Sequence, residues 1–161
     1  MKIKELYNGG PVISLEIFPP KPESPIDTIL ETISELSGLN PAFISVTYGA
    51  GGSSKGYTVE IADIIKNKYG IEALAHLTCI NSKKDEIKDT LQKLSQSNIK
   101  NILALRGDKP ENDSYDKSRQ DYIYASNLIE YIKGFGDFSI GAACYPEYHI
   151  EATDKVSDLK N

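Results

Sequence analysis

Residues 12–18, VISLEIF, decide how this chain is read. Side chains alternate across a strand with period two, so Ile13, Leu15 and Ile17 share one face while Ser14, Glu16 and Phe18 share the other. An open parallel sheet is covered by helices on both sides, and its strands read as nearly continuous apolar runs. A hydroxyl and a carboxylate on one face argue against that arrangement. The run AFISVT at 42–47 repeats the pattern, with Ile44 and Val46 opposing Ser45 and Thr47. Polar groups near the carboxyl ends of strands are what barrel enzymes use to build active sites. The expected fold class is therefore α/β, of the (βα)8 TIM-barrel type, with a doubly wound open sheet as the competing arrangement.

Working outward, further strands are predicted at 72–77 (EALAHL), 100–105 (KNILAL) and 138–145 (FSIGAACY). Between them, 25–38, 56–69, 83–97 and 119–134 carry apolar residues three and four apart, as in Ile26, Ile29, Leu30, Ile33 and Leu36. A last helix is predicted to begin near Thr153, read as its amino-terminal cap. A complete barrel takes eight strands and about 250 residues. Five strands in 161 residues lead us to expect one domain, 1–161, incomplete at its carboxyl end after strand five. Unpaired strand edges and uncovered apolar surface favour association, so a homo-oligomer or a completing chain is expected.

A hydrophobic fraction of 40% with 25% charged residues is globular composition. No apolar run approaches the roughly 20 residues of a membrane helix, and MKIKELYNGG does not read as a secretory signal. Cytoplasmic location is the expectation, with no membrane partner. A net charge of −5 and only two arginines argue against a nucleic-acid partner. Cys79 and Cys144 lack metal-ligand spacing and are read as reduced, small core residues.

The candidate chemistry lies at strand ends. Glu16 precedes Pro19 and Pro20. An apolar neighbourhood including Phe18 would disfavour its charged form and keep a proton available for general acid catalysis; the alternative is a strand-end carboxylate paired with an arginine or simply solvated. SVTYGAGGSSKG, Ser45 to Gly56, runs from a strand into a loop that matches neither a P-loop nor GxGxxG; it reads either as a ligand-facing loop, whose glycines let backbone amides approach closely, or as a flexible βα connection. His76 stands at the end of the third strand without a second ligand at metal spacing, which reads as a hydrogen-bonded core residue. Arg106 and Asp108 flank Gly107 after the fourth strand, as a local ion-paired turn or as a binding element. The fifth strand leads into AACYPEYHIEA, with Tyr145, Glu147 and His149.

Taken in order, SLEIFPPK (Ser14–Lys21), ISVTYGAGGS (Ile44–Ser53), HLTCIN (His76–Asn81), LALRGD (Leu103–Asp108) and YPEYHIEA (Tyr145–Ala152) closely resemble methylenetetrahydrofolate reductase. The resemblance implies a flavoprotein barrel. It passes hydride from NADH or NADPH to FAD, and then from FAD to methylenetetrahydrofolate to give methyltetrahydrofolate. By motif, Glu16 matches the general acid that assists opening of the folate's five-membered ring, and Thr47 matches a residue near the nicotinamide. Tyr48, Ala50, His76, Arg106, Gly107, Asp108, Tyr145 and His149 match positions lining FAD. Asp108 is also implied to influence the flavin and touch the pterin, and Arg106 to neutralise pyrophosphate charge. Ala125 matches a further flavin contact, and Ala152 and Asp158 match contacts near the adenosine end. Leu15 and Ile17 stand where the family often has aromatic residues, and Ile150 stands in place of a usual proline. The family's later lysine and glutamine, toward the flavin phosphates and the folate, have no counterpart in these residues.

Overall fold

Among the described residues five strands lie side by side in the order in which they occur along the chain, and every neighbouring pair is parallel. They are β1 (Ser14–Ile17), β2 (Phe43–Val46), β3 (Glu72–Thr78), β4 (Asn101–Leu105) and β5 (Ser139–Ala142). A doubly wound sheet reverses its strand order at a switch point. This one does not, so it has the sequential order of a barrel wall, as the alternation in 12–18 and 42–47 predicts. The computed structural model describes residues 1–20, 24–48, 55–108, 118, 120–149 and 151–160.

Helices α1 (Asp27–Ser37), α2 (Lys55–Asp63), α3 (Lys84–Gln96) and α4 (Ala125–Phe135) connect the strands. Their apolar spacing becomes one core: Ile33 of α1, Ile61 of α2, Ile87 and Leu91 of α3, and Leu128 and Ile132 of α4 pack with Ile44, Val46, Ala75, Leu77, Ile102 and Ala104 of the sheet. Each fully buried Leu or Ile contributes about 1.5–3 kcal/mol. Stability is thus invested on the helix-covered face, and the opposite face is left free to carry polar groups.

Two helix starts differ from expectation. The helix predicted over 119–134 begins at Ala125, because the preceding segment is committed elsewhere. Asp121 accepts a hydrogen bond from the Lys84 amide (2.7 Å) and so caps α3, while its own amide donates to the Ser82 carbonyl (3.3 Å). The last helix, α5 (Lys155–Lys160), is capped by Asp154 rather than Thr153. Asp154 Oδ1 accepts from the Val156 and Ser157 amides at 2.9 and 3.0 Å, because a carboxylate reaches both and a β-branched hydroxyl one residue earlier does not.

At the amino end of the sheet a short 3-10 helix, Ile3–Asn8, is stapled beneath β3 and β4. The Ile3 amide donates to Asn101 Oδ1 (2.7 Å), Asn101 Nδ2 donates to the Met1 carbonyl (3.2 Å), and the terminal ammonium pairs with Glu72 (2.8 Å). Lys66 pairs with the same carboxylate. Burial alone would raise the Glu72 carboxyl, but the bonds from Lys66 and the terminal ammonium outweigh it and hold it below its ordinary value. The candidate site residues lie toward the opposite end. No helix among the described residues is long and apolar enough to cross a membrane.

Candidate active site

Alternation along β1, β2 and β3 puts Glu16, Ser45 and His76 on the face away from the helices, and the register sets Glu16 directly beside Ser45. The Ser45 hydroxyl donates to Glu16 Oε2 at 2.9 Å. His76 Nε2 comes to 3.4 Å from the same oxygen. That approach lacks hydrogen-bond geometry, so Nε2 is buried without a partner among the described residues, contrary to the expectation of a hydrogen-bonded core histidine. Burial lowers the His76 pKa, with the Glu16 charge opposing in part, so the ring is neutral at pH 7.

Glu16 itself corrects an expectation. Its side chain is 49% exposed and Phe18 is 70% exposed, so no apolar pocket encloses the carboxyl among the described residues. Its surroundings are polar: a hydroxyl and an imidazole. The short strand β1 lies at the sheet edge, which among the described residues leaves one side of Glu16 without a neighbouring strand.

The second half of the site is built where β3 and β4 continue to pair beyond their ends. The Cys79 amide donates to the Leu105 carbonyl (3.1 Å), and the Ile80 amide donates to the Arg106 carbonyl (2.9 Å). Gly107 then turns at φ +85°, and a Cβ there would stand 2.7 Å from Ile80 Cγ2 and 3.0 Å from Thr78 Cβ. Only glycine fits this turn, both by conformation and by space. Arg106 does not pair with Asp108. Its Nη1 lies 3.2 Å from Glu151 Oε1 and 3.1 Å from His149 Nε2, while the Tyr124 hydroxyl donates to Glu151 Oε2 (3.2 Å). The segment after β5 brings Glu151 to the guanidinium.

His149 is held from several sides. Asp158 of α5 accepts its amide (2.8 Å), and its carbonyl accepts the Ala152 amide (2.8 Å). Nδ1 faces the Glu151 amide at 3.2 Å. Both ring nitrogens thus face N–H donors, and a neutral imidazole accepts at only one of them. Tyr145 and Tyr124 approach the ring edge-on, at 6.1 and 6.3 Å between centroids.

Other predicted positions are more loosely gathered. Thr47 follows β2, its amide bonded to the Ile17 carbonyl (3.0 Å) and its carbonyl to the Thr58 hydroxyl (3.0 Å). Tyr48 turns its side chain toward α3, where its hydroxyl bonds Thr90; burial pushes its pKa up to about 12, against the lowering effect of that bond and with the help of Glu86. Only its backbone is then left for the sheet's open end. Ala125 opens α4, Asp108 and Tyr145 are exposed, and Ala50 lies outside the described residues. Cys79 is buried as expected, whereas Cys144 is exposed, because β5 ends two residues before it. Among the described residues no group of three potential ligands is placed to hold a metal ion.

The residues missed in the sequence are Ser45, Tyr124 and Glu151 as partners of the predicted set. Ser45 was findable, since period two in AFISVT puts it on the face of Glu16. Glu151 carries no comparable signal, because a loop carboxylate meets Arg106 only through the fold. Together the groups provide a carboxyl with two polar neighbours and, at the same end of the sheet, a guanidinium and an orphaned imidazole nitrogen.

Residues 2–161 match the family described as methylenetetrahydrofolate reductase. The 5,10-methylenetetrahydrofolate reductase of Pectobacterium carotovorum is 40% identical over 149 residues, covering 92% of this chain and 48% of that protein. The Escherichia coli protein of the same name is also 40% identical over 149 residues, covering 92% and 49%. A rice protein named probable methylenetetrahydrofolate reductase (NADH) is 38% identical over 155 residues, covering 94% and 26%. The chain spans about half the length of the bacterial relatives it matches.

Proposed function

Because this chain belongs to the methylenetetrahydrofolate reductase family, we propose that it carries the acid-bearing, flavin-facing part of an FAD-dependent reductase. The reaction is reduction of 5,10-methylenetetrahydrofolate to 5-methyltetrahydrofolate with NADH or NADPH, by ping-pong hydride transfer in a cytoplasmic enzyme. The observation that carries it is Glu16, hydrogen-bonded to Ser45 and 3.4 Å from His76 at the carboxyl end of the sheet, where Arg106 also stands.

The residues fit a flavin nucleotide in two respects. The orphaned Nε2 of His76 is a buried hydrogen-bonding atom awaiting a polar partner, and Arg106 is a cation suited to a diphosphate. When bound, FAD supplies the hydride chemistry. The chain's part is placement and proton supply. Glu16 gives its proton to the ring nitrogen that leaves as the folate's five-membered ring opens, so that hydride is accepted at the exposed carbon. Asp108 sets charge near the flavin and the pterin, Thr47 lies by the nicotinamide, and Tyr145 and His149 wall the flavin. Ala125, Ala152 and Asp158 extend that wall.

We also propose that further strands complete the barrel, from a longer product or from another chain. The outer edges of β1 and β5 have no strand partner among the described residues, and Glu16 is half exposed beside one of them.

The test is the visible spectrum of the purified chain after addition of FAD. Retained flavin bands that bleach with NADH or NADPH and recover with methylenetetrahydrofolate support the enzyme. A protein that retains no flavin refutes the flavin reading for this chain.

A further inference from the structure

Ser45 is a buried hydroxyl on the site face: it is 5% exposed, sits in β2 between β1 and β3, and stands in register with Glu16. Its Oγ has two acceptors in reach, Glu16 Oε2 at 2.9 Å and the Leu15 carbonyl at 3.5 Å. We propose that Ser45 is a positioning residue that holds the Glu16 carboxyl in place through both of its protonation states, an inference that rests on Glu16 being the acid.

A general acid exists twice per turnover, once carrying its proton and once without it, and its placement must survive the change. A hydroxyl provides one donor and two lone pairs. Against ionised Glu16 the Ser45 proton points at Oε2, a charge-assisted bond and the shorter of the two available. When Oε2 carries the proton, the bond reverses: Glu16 donates to Oγ, and the Ser45 proton rotates to the Leu15 carbonyl at the long end of hydrogen-bond range. When Oε1 carries it, Ser45 still donates to Oε2. The proton given to the substrate nitrogen leaves a carboxylate that Ser45 already solvates, and solvent returns the proton.

His76 does not fill this role, since its Nε2 faces the same oxygen without hydrogen-bond geometry. Glu16 is half exposed, on a four-residue edge strand, with a flexible side chain. Ser45 is fixed by a fully buried strand paired on both sides. The directional hold therefore runs from the rigid strand to the exposed acid.

The experiment compares the FAD-loaded full chain with Ser45→Ala and Ser45→Thr, following the two half-reactions separately by stopped flow, and solves crystal structures of the wild type and Ser45→Ala. Ser45→Ala is expected to slow flavin reoxidation by methylenetetrahydrofolate tenfold or more while changing reduction by NADH or NADPH less than twofold, with the Glu16 carboxyl displaced. Ser45→Thr, which keeps the hydroxyl, restores most of the rate. Equal slowing of both half-reactions, no slowing, or an unmoved Glu16 carboxyl in Ser45→Ala overturns the proposal. A wild type that binds flavin but is not reoxidised by the folate refutes the functional reading instead, and the crystal comparison still decides whether Ser45 places Glu16.

Discussion

Arg106 and Glu151 hold each other at the open end of the sheet, Nη1 to Oε1 at 3.2 Å, with Tyr124 gripping the other carboxylate oxygen. The guanidinium proposed to meet a diphosphate is thus neutralised inside the protein. A ligand phosphate must displace Glu151 or share the cation with it. Glu151→Gln is expected to tighten FAD several-fold, and Arg106→Gln to weaken it by 1.5–3 kcal/mol, roughly ten- to a hundredfold, the loss of a bond to a charged group. Quenching of flavin fluorescence on titration measures both. Equal affinities in all three proteins would remove Arg106 from the binding site.

Gly107 is constrained twice over, by φ +85° and by the 2.7 Å between an added Cβ and Ile80 Cγ2. Gly107→Ala is expected to lower unfolding stability by about 1–3 kcal/mol from overpacking alone. It should also shift Arg106, so flavin affinity falls together with the urea midpoint. Gly134, in open space on α4, is the control: Gly134→Ala should leave the midpoint unchanged or raise it.

Glu72 gives the fold an acid limit. Its folded pKa is below the ordinary 4.5, so the unfolded chain takes up the proton first as pH drops. The resulting stability is fully present above pH 4.5 and is lost as pH falls through the lower folded value. Glu72→Gln should cost about 1 kcal/mol near neutral pH, with the difference from wild type shrinking under acid conditions. Denaturant titrations across that pH range check it, and a constant difference at every pH would contradict the assignment.

The cysteines should separate cleanly. Burial pushes the Cys79 thiol up to about 11, opposed by its own backbone bond and by Arg106, whereas Cys144 is exposed. A thiolate-directed reagent at pH 8 should therefore modify Cys144 rapidly and Cys79 only on unfolding. Peptide mass mapping of the labelled native protein reads the order directly.

The strands and the polar face of the sheet were legible because period-two alternation is a local property. Glu16 in SLEI and Ser45 in FISV declare their face within four residues. The helices were legible as periodic runs, but the start of α4 was not, since Asp121 leaves the run to cap a different helix. The ion-pair partner of Arg106 was not legible: Asp108 is close in sequence, whereas Glu151 meets Arg106 through tertiary structure. The polarity around Glu16 was misjudged for a related reason, because Phe18, its apolar neighbour in sequence, is exposed and contributes no enclosure here.

The staple beneath β3 and β4 orders events in time. Ile3 reaches its acceptor Asn101 across 98 residues, so this bond cannot form until the fourth strand is in place. Closing so long a loop is entropically costly and belongs late in folding. An extension fused ahead of Met1 therefore acts mainly after the rate-limiting barrier: it should hasten unfolding and leave the folding rate nearly untouched.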